Sequence, residues 1–327
     1  MDFGFATRAA MIDADTQAVA VAQDYLVPWL FEALPKVYRL ETIGRGTAAR
    51  MLRRARAIIV DGGRVFDKAL LADMPNLGLI ACFNAGYDGI DPGWAREHGI
   101  RVTHAREVNH EDVADFAIGQ IVNHYRILSG GDRWIRAGGW IAGGPRAPTR
   151  SLAGARLGIV GLGAIGKAVA RRAQVMRMSP MWWGPRDKRV PWPRAASLIE
   201  LARASDILVI AASASAGNRG LISTEVIDAL GPRGLLVNVA RGSLVDEAAL
   251  IAALRSGALG AAALDVFEEE PIALDRWRDV PNVALTPHSA GVTDDALRRM
   301  ADLVRANLDA FFSGAPLPTP IALPLVH

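Results

Sequence analysis

The stretch Leu157–Gly166, LGIVGLGAIG, decides how the rest of the chain is read. An apolar run, Leu157, Gly158, Ile159 and Val160, leads into Gly161-x-Gly163-x-x-Gly166. A helical pattern follows over residues 167–177, with Val169, Ala170, Ala173 and Met176 at helix spacing. A strand, a glycine turn and a helix N-terminus together make an anion site. Gly161 permits the turn, Gly163 lets the backbone approach a pyrophosphate, and Gly166 lets helix pack close to strand. A glycine-rich turn with no ligand can share the three glycines, so the weight comes from the strand before and the helix after. A dinucleotide is expected to lie on Gly161, Leu162, Gly163, Ala164, Ile165 and Gly166.

The fingerprint stands near the middle of 327 residues, a length that suits two domains. Upstream of it, short apolar runs alternate with helical ones. Strands are expected at 18–22, 37–40, 57–60, 77–82 and 101–103, and helices at 28–34, 47–54, 67–73 and 92–98. That rhythm predicts a parallel sheet covered by helices. Residues 1–15 read as a loose extension. From Glu111 the pattern becomes one long amphipathic helix through Val113, Ala114, Ala117, Ile118, Ile121, Val122, Tyr125 and Leu128. Residues 130–148, rich in Gly, Trp and Arg, read as an irregular arm. Beyond the fingerprint, strands are expected at 207–211, 235–239, 261–264 and 283–286, and helices at 246–255 and 294–312. The expected fold class is α/β, with two Rossmann-like or flavodoxin-like doubly wound parallel-sheet domains and an interdomain cleft. Residues 1–104 and 292–327 would form a discontinuous substrate-binding (catalytic) domain, and residues 105–291 the dinucleotide-binding domain.

Composition narrows the function classes. Half the chain is apolar, so a large core is expected and disorder is not. No apolar run reaches the roughly 18 residues of a membrane span, and the start lacks the pattern of a signal peptide. Net charge is +3 and the arginines are scattered among acids, so neither a nucleic-acid partner nor a membrane is expected. The single cysteine, Cys82, fits a reducing cytoplasm. His98, His104, His110, His124 and His327 show no metal-ligand spacing, and no metal is expected.

Three later strand ends carry chemistry. An acid about 20 residues after the fingerprint normally binds the ribose of NAD, and Gly184 stands there instead, followed by Arg186, Lys188 and Arg189. A missing carboxylate and a nearby guanidinium suit a 2′-phosphate, so NADPH is preferred and NAD stays possible. The bland alternative is a solvated loop in which Asp187 serves the ribose. Arg241 ends the strand Val237-Asn238-Val239-Ala240, where a guanidinium can grip a carboxylate or simply face solvent. His288 follows the last strand, where it can shuttle a proton or be a satisfied structural residue.

GLGAIG, VNVARGSLVDEAAL, ALDVFEEEP and NVALTPH, in this order and spacing, resemble the D-isomer-specific 2-hydroxyacid dehydrogenases. NAGYDGID (84–91) and EDVADFAIG (111–119) extend the likeness, which covers residues 55 to 318. Within the family the chain looks most like the glyoxylate/hydroxypyruvate reductases. The resemblance implies that Arg241 holds the 2-oxo acid and that His288 protonates its carbonyl oxygen. Glu270 would orient the His and keep it protonated, and Asp265 would bind the nicotinamide carboxamide. Asn84, Ala85 and Gly86 would take the substrate carboxylate on backbone N–H groups. The cofactor set extends to Gly184, Arg186, Ala212, Ser213, Ala240, Arg241, Asp265, His288 and Ser289. The resemblance also implies a homodimer through the cofactor domain and the 111–150 segment, with Trp140 as an anchor. His110 and Asn109 depart from the family's usual Thr and apolar residue, Ala164 from a frequent Arg, and Ser289-Ala290-Gly291 from Ile-Gly-Ser.

These readings imply NADPH-dependent reduction of glyoxylate or hydroxypyruvate. The alternatives are a dehydrogenase of the same fold for an aryl or branched 2-oxo acid, or one preferring NAD, and a nucleotide-sensing protein like the family's corepressors. The last would call for long disordered tails, which the sequence lacks.

Overall fold

The structure is a computed structural model that describes residues 18–34, 37–43, 52–144 and 147–321. The expected extension over residues 1–15 lies outside the described residues, as does most of the helix expected at 47–54. The chain forms two compact units, one running to Val108 and resuming at Asp294, the other Asn109–Thr293.

The first unit is built on a five-stranded sheet of β1 (Ala18–Val21), β2 (Arg39–Thr42), β3 (Ala57–Val60), β4 (Leu79–Cys82) and β5 (Arg101–Thr103). The order is β2-β1-β3-β4-β5 and every pairing is parallel. β3 and β4 are buried throughout, which is why they read as unbroken apolar runs. Alternate residues feed opposite layers. Val19, Val21, Ile59 and Leu79 pack with Leu30 of α1 (Val27–Ala33) and with Met300, Val304 and Leu308 of α12 (Asp294–Ser313). Ile58, Val60, Ile80 and Val102 pack on the other side with Met74, after α2 (Leu70–Asp73), and with Ala95 of α3 (Pro92–Glu97).

The second unit opens with α4 (His110–Arg126), α5 (Leu128–Arg136) and α6 (Gly139–Gly143). This corrects two expectations. The long helix does not run through Leu128, because Ile127 takes a left-handed conformation (φ 52°) and ends it. The stretch from 130 is not an irregular arm but carries helices, despite its glycines. Asp132 and Arg136 pair one turn apart in α5. Trp134 folds onto Gly139, where a Cβ would lie 2.3 Å from the indole nitrogen.

Six parallel strands follow: β6 (Arg156–Val160), β7 (Ser179–Trp183), β8 (Ile207–Ile210), β9 (Leu235–Asn238), β10 (Ala261–Leu264) and β11 (Val283–Leu285). Their order is β11-β10-β9-β8-β6-β7. β7 contains Pro180, which the sheet tolerates because β7 is its edge. One layer packs Ile159, Val209 and Val237 against α4 and α7 (Ala164–Val175). The other packs Leu208, Ile210 and Leu236 against α8 (Leu198–Arg203), α9 (Thr224–Leu230) and α10 (Glu247–Ser256). The strand order reverses between β6 and β8, the place where open α/β sheets bind ligands.

Candidate active site

The glycine turn leaves β6 at that reversal. Gly161 has φ 90°, and a Cβ on it would lie 2.5 Å from Ala212 Cα, after β8. A Cβ on Gly166 would lie 2.2 Å from the Gly161 carbonyl oxygen. Both glycines are therefore demanded by the chain itself. Gly163 differs: a Cβ there meets nothing within 4 Å, and φ is −77°. α7 begins at Ala164 and Ile165 with no side-chain cap at its N-terminus. An open approach to uncapped N–H groups at a helix start suits a pyrophosphate, so the residues fit a dinucleotide.

Gly184 follows β7 and offers no carboxylate. Its carbonyl accepts a hydrogen bond from Arg194 at 2.7 Å, and the Arg194 guanidinium lies 5.5 Å from the Trp182 ring centre. Lys188 donates to the Leu162 carbonyl at 2.7 Å, inside the glycine turn. Its ammonium pKa is pushed down by desolvation and by the charges of Lys167 and Arg186. Three cations thus gather beside the turn. Arg186 is exposed. Asp187 is also exposed, 4.0 Å from Arg194. The sequence singled out Arg186 but not Lys167 or Arg194, whose roles rest on contacts that spacing does not reveal.

Asp265, Glu270 and His288 come together after β10 and β11. His288 adopts φ 51°, a left-handed conformation rare for a residue with a Cβ. Its neighbours impose it. The His288 N–H donates to the Asp265 carbonyl at 2.8 Å. Asp265, 2% exposed, accepts from Thr286 Oγ1 at 2.7 Å, Ser289 N at 3.0 Å and Ala290 N at 2.8 Å. Its carboxylate therefore organises the turn that presents the imidazole, a role the sequence did not suggest.

Glu270 Oε2 lies 2.7 Å from His288 Nδ1, and Oε1 accepts the Phe267 N–H at 2.9 Å. The Glu270 hydrogen bond raises the His288 pKa. Desolvation opposes it, the Glu270 and Asp265 charges add to it, and Arg241 subtracts. Burial works against the charged form of Glu270, but the His288 hydrogen bond, the Phe267 N–H and the charges of His288 and Arg241 win. Its carboxyl is held below the usual carboxylate range. Each partner thus favours the charged form of the other.

Arg241 stands three residues after the end of β9. Asn238, buried, donates to the Arg241 carbonyl at 3.0 Å and accepts from the Ala240 N–H at 3.1 Å. Arg241 Nη1 donates to the Ala240 carbonyl at 2.7 Å. Its charge reaches both Glu270 and His288. Ser213 accepts a hydrogen bond from Asn218 at its carbonyl, 2.9 Å. Two departures from the family pattern compensate each other. A Cβ on Gly291 would lie 2.2 Å from Asn109 Nδ2, so the small residue makes room for the amide. His110 sits 3.2 Å from Glu111 at the start of α4.

In the other unit, residues 84–86 follow β4. Asn84 Nδ2 donates to Asp61 Oδ1 at 2.6 Å, and Asn84 Oδ1 accepts the Gly62 N–H at 2.8 Å. The Ala85 carbonyl takes His104 Nδ1 at 2.8 Å. A Cβ on Gly62 would lie 2.2 Å from the Gly86 carbonyl oxygen. Asp61 and His104, from the ends of β3 and β5, hold this loop, and neither was singled out from sequence. Among the described residues no group of three His, Cys, Asp or Glu is placed to hold a metal.

The family model described as D-isomer specific 2-hydroxyacid dehydrogenase, NAD binding domain, matches residues 118–290. A glyoxylate/hydroxypyruvate reductase of Arabidopsis thaliana is 42% identical, covering 81% of this chain and 85% of its own. A hydroxyphenylpyruvate reductase of Plectranthus scutellarioides is 40% identical over 87% of this chain and 91% of its own. Among solved structures, an NADPH-dependent glyoxylate/hydroxypyruvate reductase of Sinorhizobium meliloti, in complex with NADP and malonate, superposes with a TM-score of 0.86. It is 35% identical and covers 94% of this chain and 97% of its own. With the fold, the glycine turn and the His–Glu pair in place, the chain belongs to the D-isomer specific 2-hydroxyacid dehydrogenases, oxidoreductases that use a nicotinamide cofactor.

Proposed function

We propose that the chain reduces small 2-oxo acids, glyoxylate and hydroxypyruvate, to their 2-hydroxy acids with NADPH. The observation that carries this is the His288–Glu270 pair, 2.7 Å apart, within the field of Arg241. The nicotinamide supplies the hydride. Hydride addition builds negative charge on the carbonyl oxygen, and a cation and a proton donor stabilise it there. Arg241 holds the substrate's carboxylate and carbonyl. His288, its Nδ1 bonded to Glu270, delivers a proton from Nε2. Asn84, Ala85 and Gly86 receive the carboxylate on the loop that Asp61 and His104 hold. Gly161 to Gly166, Ala212, Ser213, Ala240 and Ser289 seat the cofactor. Asp265 would hold its carboxamide. Residues up to 104 and from 292 serve substrate, and residues 105–291 the dinucleotide.

NADPH is preferred because Gly184 leaves no carboxylate to repel a 2′-phosphate, and Arg186, Lys188 and Lys167 supply positive charge nearby. The Sinorhizobium relative, titled NADPH-dependent, points the same way. A second reading, an aryl 2-oxo acid as substrate, is favoured by the Plectranthus relative. We also infer a homodimer and a cytoplasmic location, the latter fitting the free, buried Cys82.

Initial rates with glyoxylate, hydroxypyruvate and hydroxyphenylpyruvate, each with NADPH and NADH, test the reading. Turnover of the first two with NADPH is expected. Preference for the aryl acid, or for NADH, overturns the corresponding part. Tight NADPH binding with no turnover of any acid would make it a nucleotide sensor.

A further inference from the structure

Glu247, the first residue of α10, is 4% exposed. A buried carboxylate is unfavourable unless its oxygens are bonded. Here Oε1 accepts the backbone N–H of Glu268. Oε2 lies 3.3 Å from Arg276 Nη2. Arg276, in α11 (Leu274–Trp277), is also 3.7 Å from Glu268 Oε2. Arg219 pairs with the other oxygen of Glu268. Two basic side chains and one buried acid therefore converge on a single residue of an acidic loop.

That residue is next to the groups that matter. A Cβ on Gly242 would lie 1.8 Å from the Phe267 carbonyl carbon and 2.3 Å from the Glu268 nitrogen. The residue after Arg241 is thus packed on the very peptide that Glu247 holds. The neighbouring N–H, that of Phe267, donates to Glu270 Oε1. Successive N–H groups are gripped in turn, Phe267 by Glu270 and Glu268 by Glu247.

We propose that Glu247 is the positioning residue of the acid–base pair: by holding the Glu268 N–H it fixes the peptide that turns the Glu270 carboxylate toward His288. The inference rests on the reading of His288 as proton donor, but the geometry it explains exists without substrate. It also gives the VDE of 245–247 a purpose that the function above leaves unused. Glu247 is not among the residues proposed to touch substrate or cofactor. It acts through the loop.

The charged groups facing His288 are Glu270, Arg241 and Asp265, so the imidazole's own titration reports whether Glu270 is in place. The experiment is an NMR titration of His288 in the full-length protein without substrate, its signal assigned by loss in His288→Gln. Glu247→Ala and Glu247→Asp are compared with Glu247→Gln. Asp keeps the charge but withdraws the oxygen by one bond length, whereas Gln keeps an acceptor at the same reach. Ala and Asp are expected to lower the His288 midpoint by about one pH unit. The alkaline limb of kcat/KM should follow, a loss of about tenfold above the midpoint. Gln should restore most of it, and cofactor affinity should change less than about twofold. An unmoved His288 midpoint in the folded Asp variant overturns the inference. So does a Gln variant as impaired as the Asp variant, because an acceptor restored at the same reach would then fail to restore the pair. An active His288→Ala enzyme would instead overturn the proton-donor reading, leaving the titration result standing.

Discussion

Glu270, hydrogen-bonded to His288, favours the charged ring and raises its pKa. The sign matters for both stability and rate. A raised His pKa contributes stability that is full below the unfolded value and lost as pH rises through the folded one. The lowered Glu270 contributes stability present above its unfolded value and lost as pH falls through the folded one. Both contributions are complete between the ordinary Glu and His values, about 4.3 to 6.5. For catalysis, reduction should be full below the folded His288 pKa and decline as pH rises through it, on the alkaline side of the ordinary His value. Glu270→Gln should move that limb down, since Arg241 then acts on His288 unopposed by the Glu270 charge; pH profiles of kcat/KM check this, and an unmoved limb counts against the pair. His288→Ala should cut reduction by about 10²–10⁴-fold with NADPH binding nearly intact. Arg186→Ala and Lys188→Met should each weaken NADPH more than NADH, read by fluorescence titration. Equal losses for the two cofactors would remove the case for a 2′-phosphate site.

At the scale of elements, the three glycines separate fold from binding. Gly166→Ala places a methyl 2.2 Å from the Gly161 carbonyl oxygen, so both the melting temperature and cofactor affinity should fall. Gly163→Ala meets no protein atom. It should keep the melting temperature within about 2 °C and still lose most cofactor affinity, as read by thermal unfolding with and without NADPH. Loss of stability at both positions would show that Gly163 serves the turn alone. Most strands were legible because parallel sheets buried on both faces write unbroken apolar runs, as in Ile207-Leu208-Val209-Ile210. The helices over 128–143 were not, because their glycines lower intrinsic propensity while tertiary contacts such as Trp134 on Gly139 restore it. Arg241, Glu270 and His288 were legible because strand ends and a motif mark them. Asp61, Lys188 and Glu247 act through partners 23, 26 and 21 residues away, and no local pattern records such pairings.

For the whole molecule, the segment 127–143 predicts self-association. Leu128, Ile135, Trp140 and Ile141 are exposed, Trp140 by 62% and Ile141 by 96%. Large exposed apolar groups on adjoining helices mark interfaces. Sedimentation velocity should give a dimer, and Trp140→Ala combined with Ile141→Ser should shift it toward monomer. A wild-type monomer at micromolar concentration would refute this. Among the described residues no helix is long and apolar enough to cross a membrane.

The empty space beside Gly163 has a consequence for descent. Gly161 and Gly166 are constrained by the chain's own atoms, and any lineage that keeps the fold keeps them small. Gly163 answers only to something outside the protein. In a descendant that no longer bound a dinucleotide, selection at that one position would lapse first. Drift at the middle glycine, with the outer two unchanged, would identify a copy that has kept its architecture and abandoned its trade.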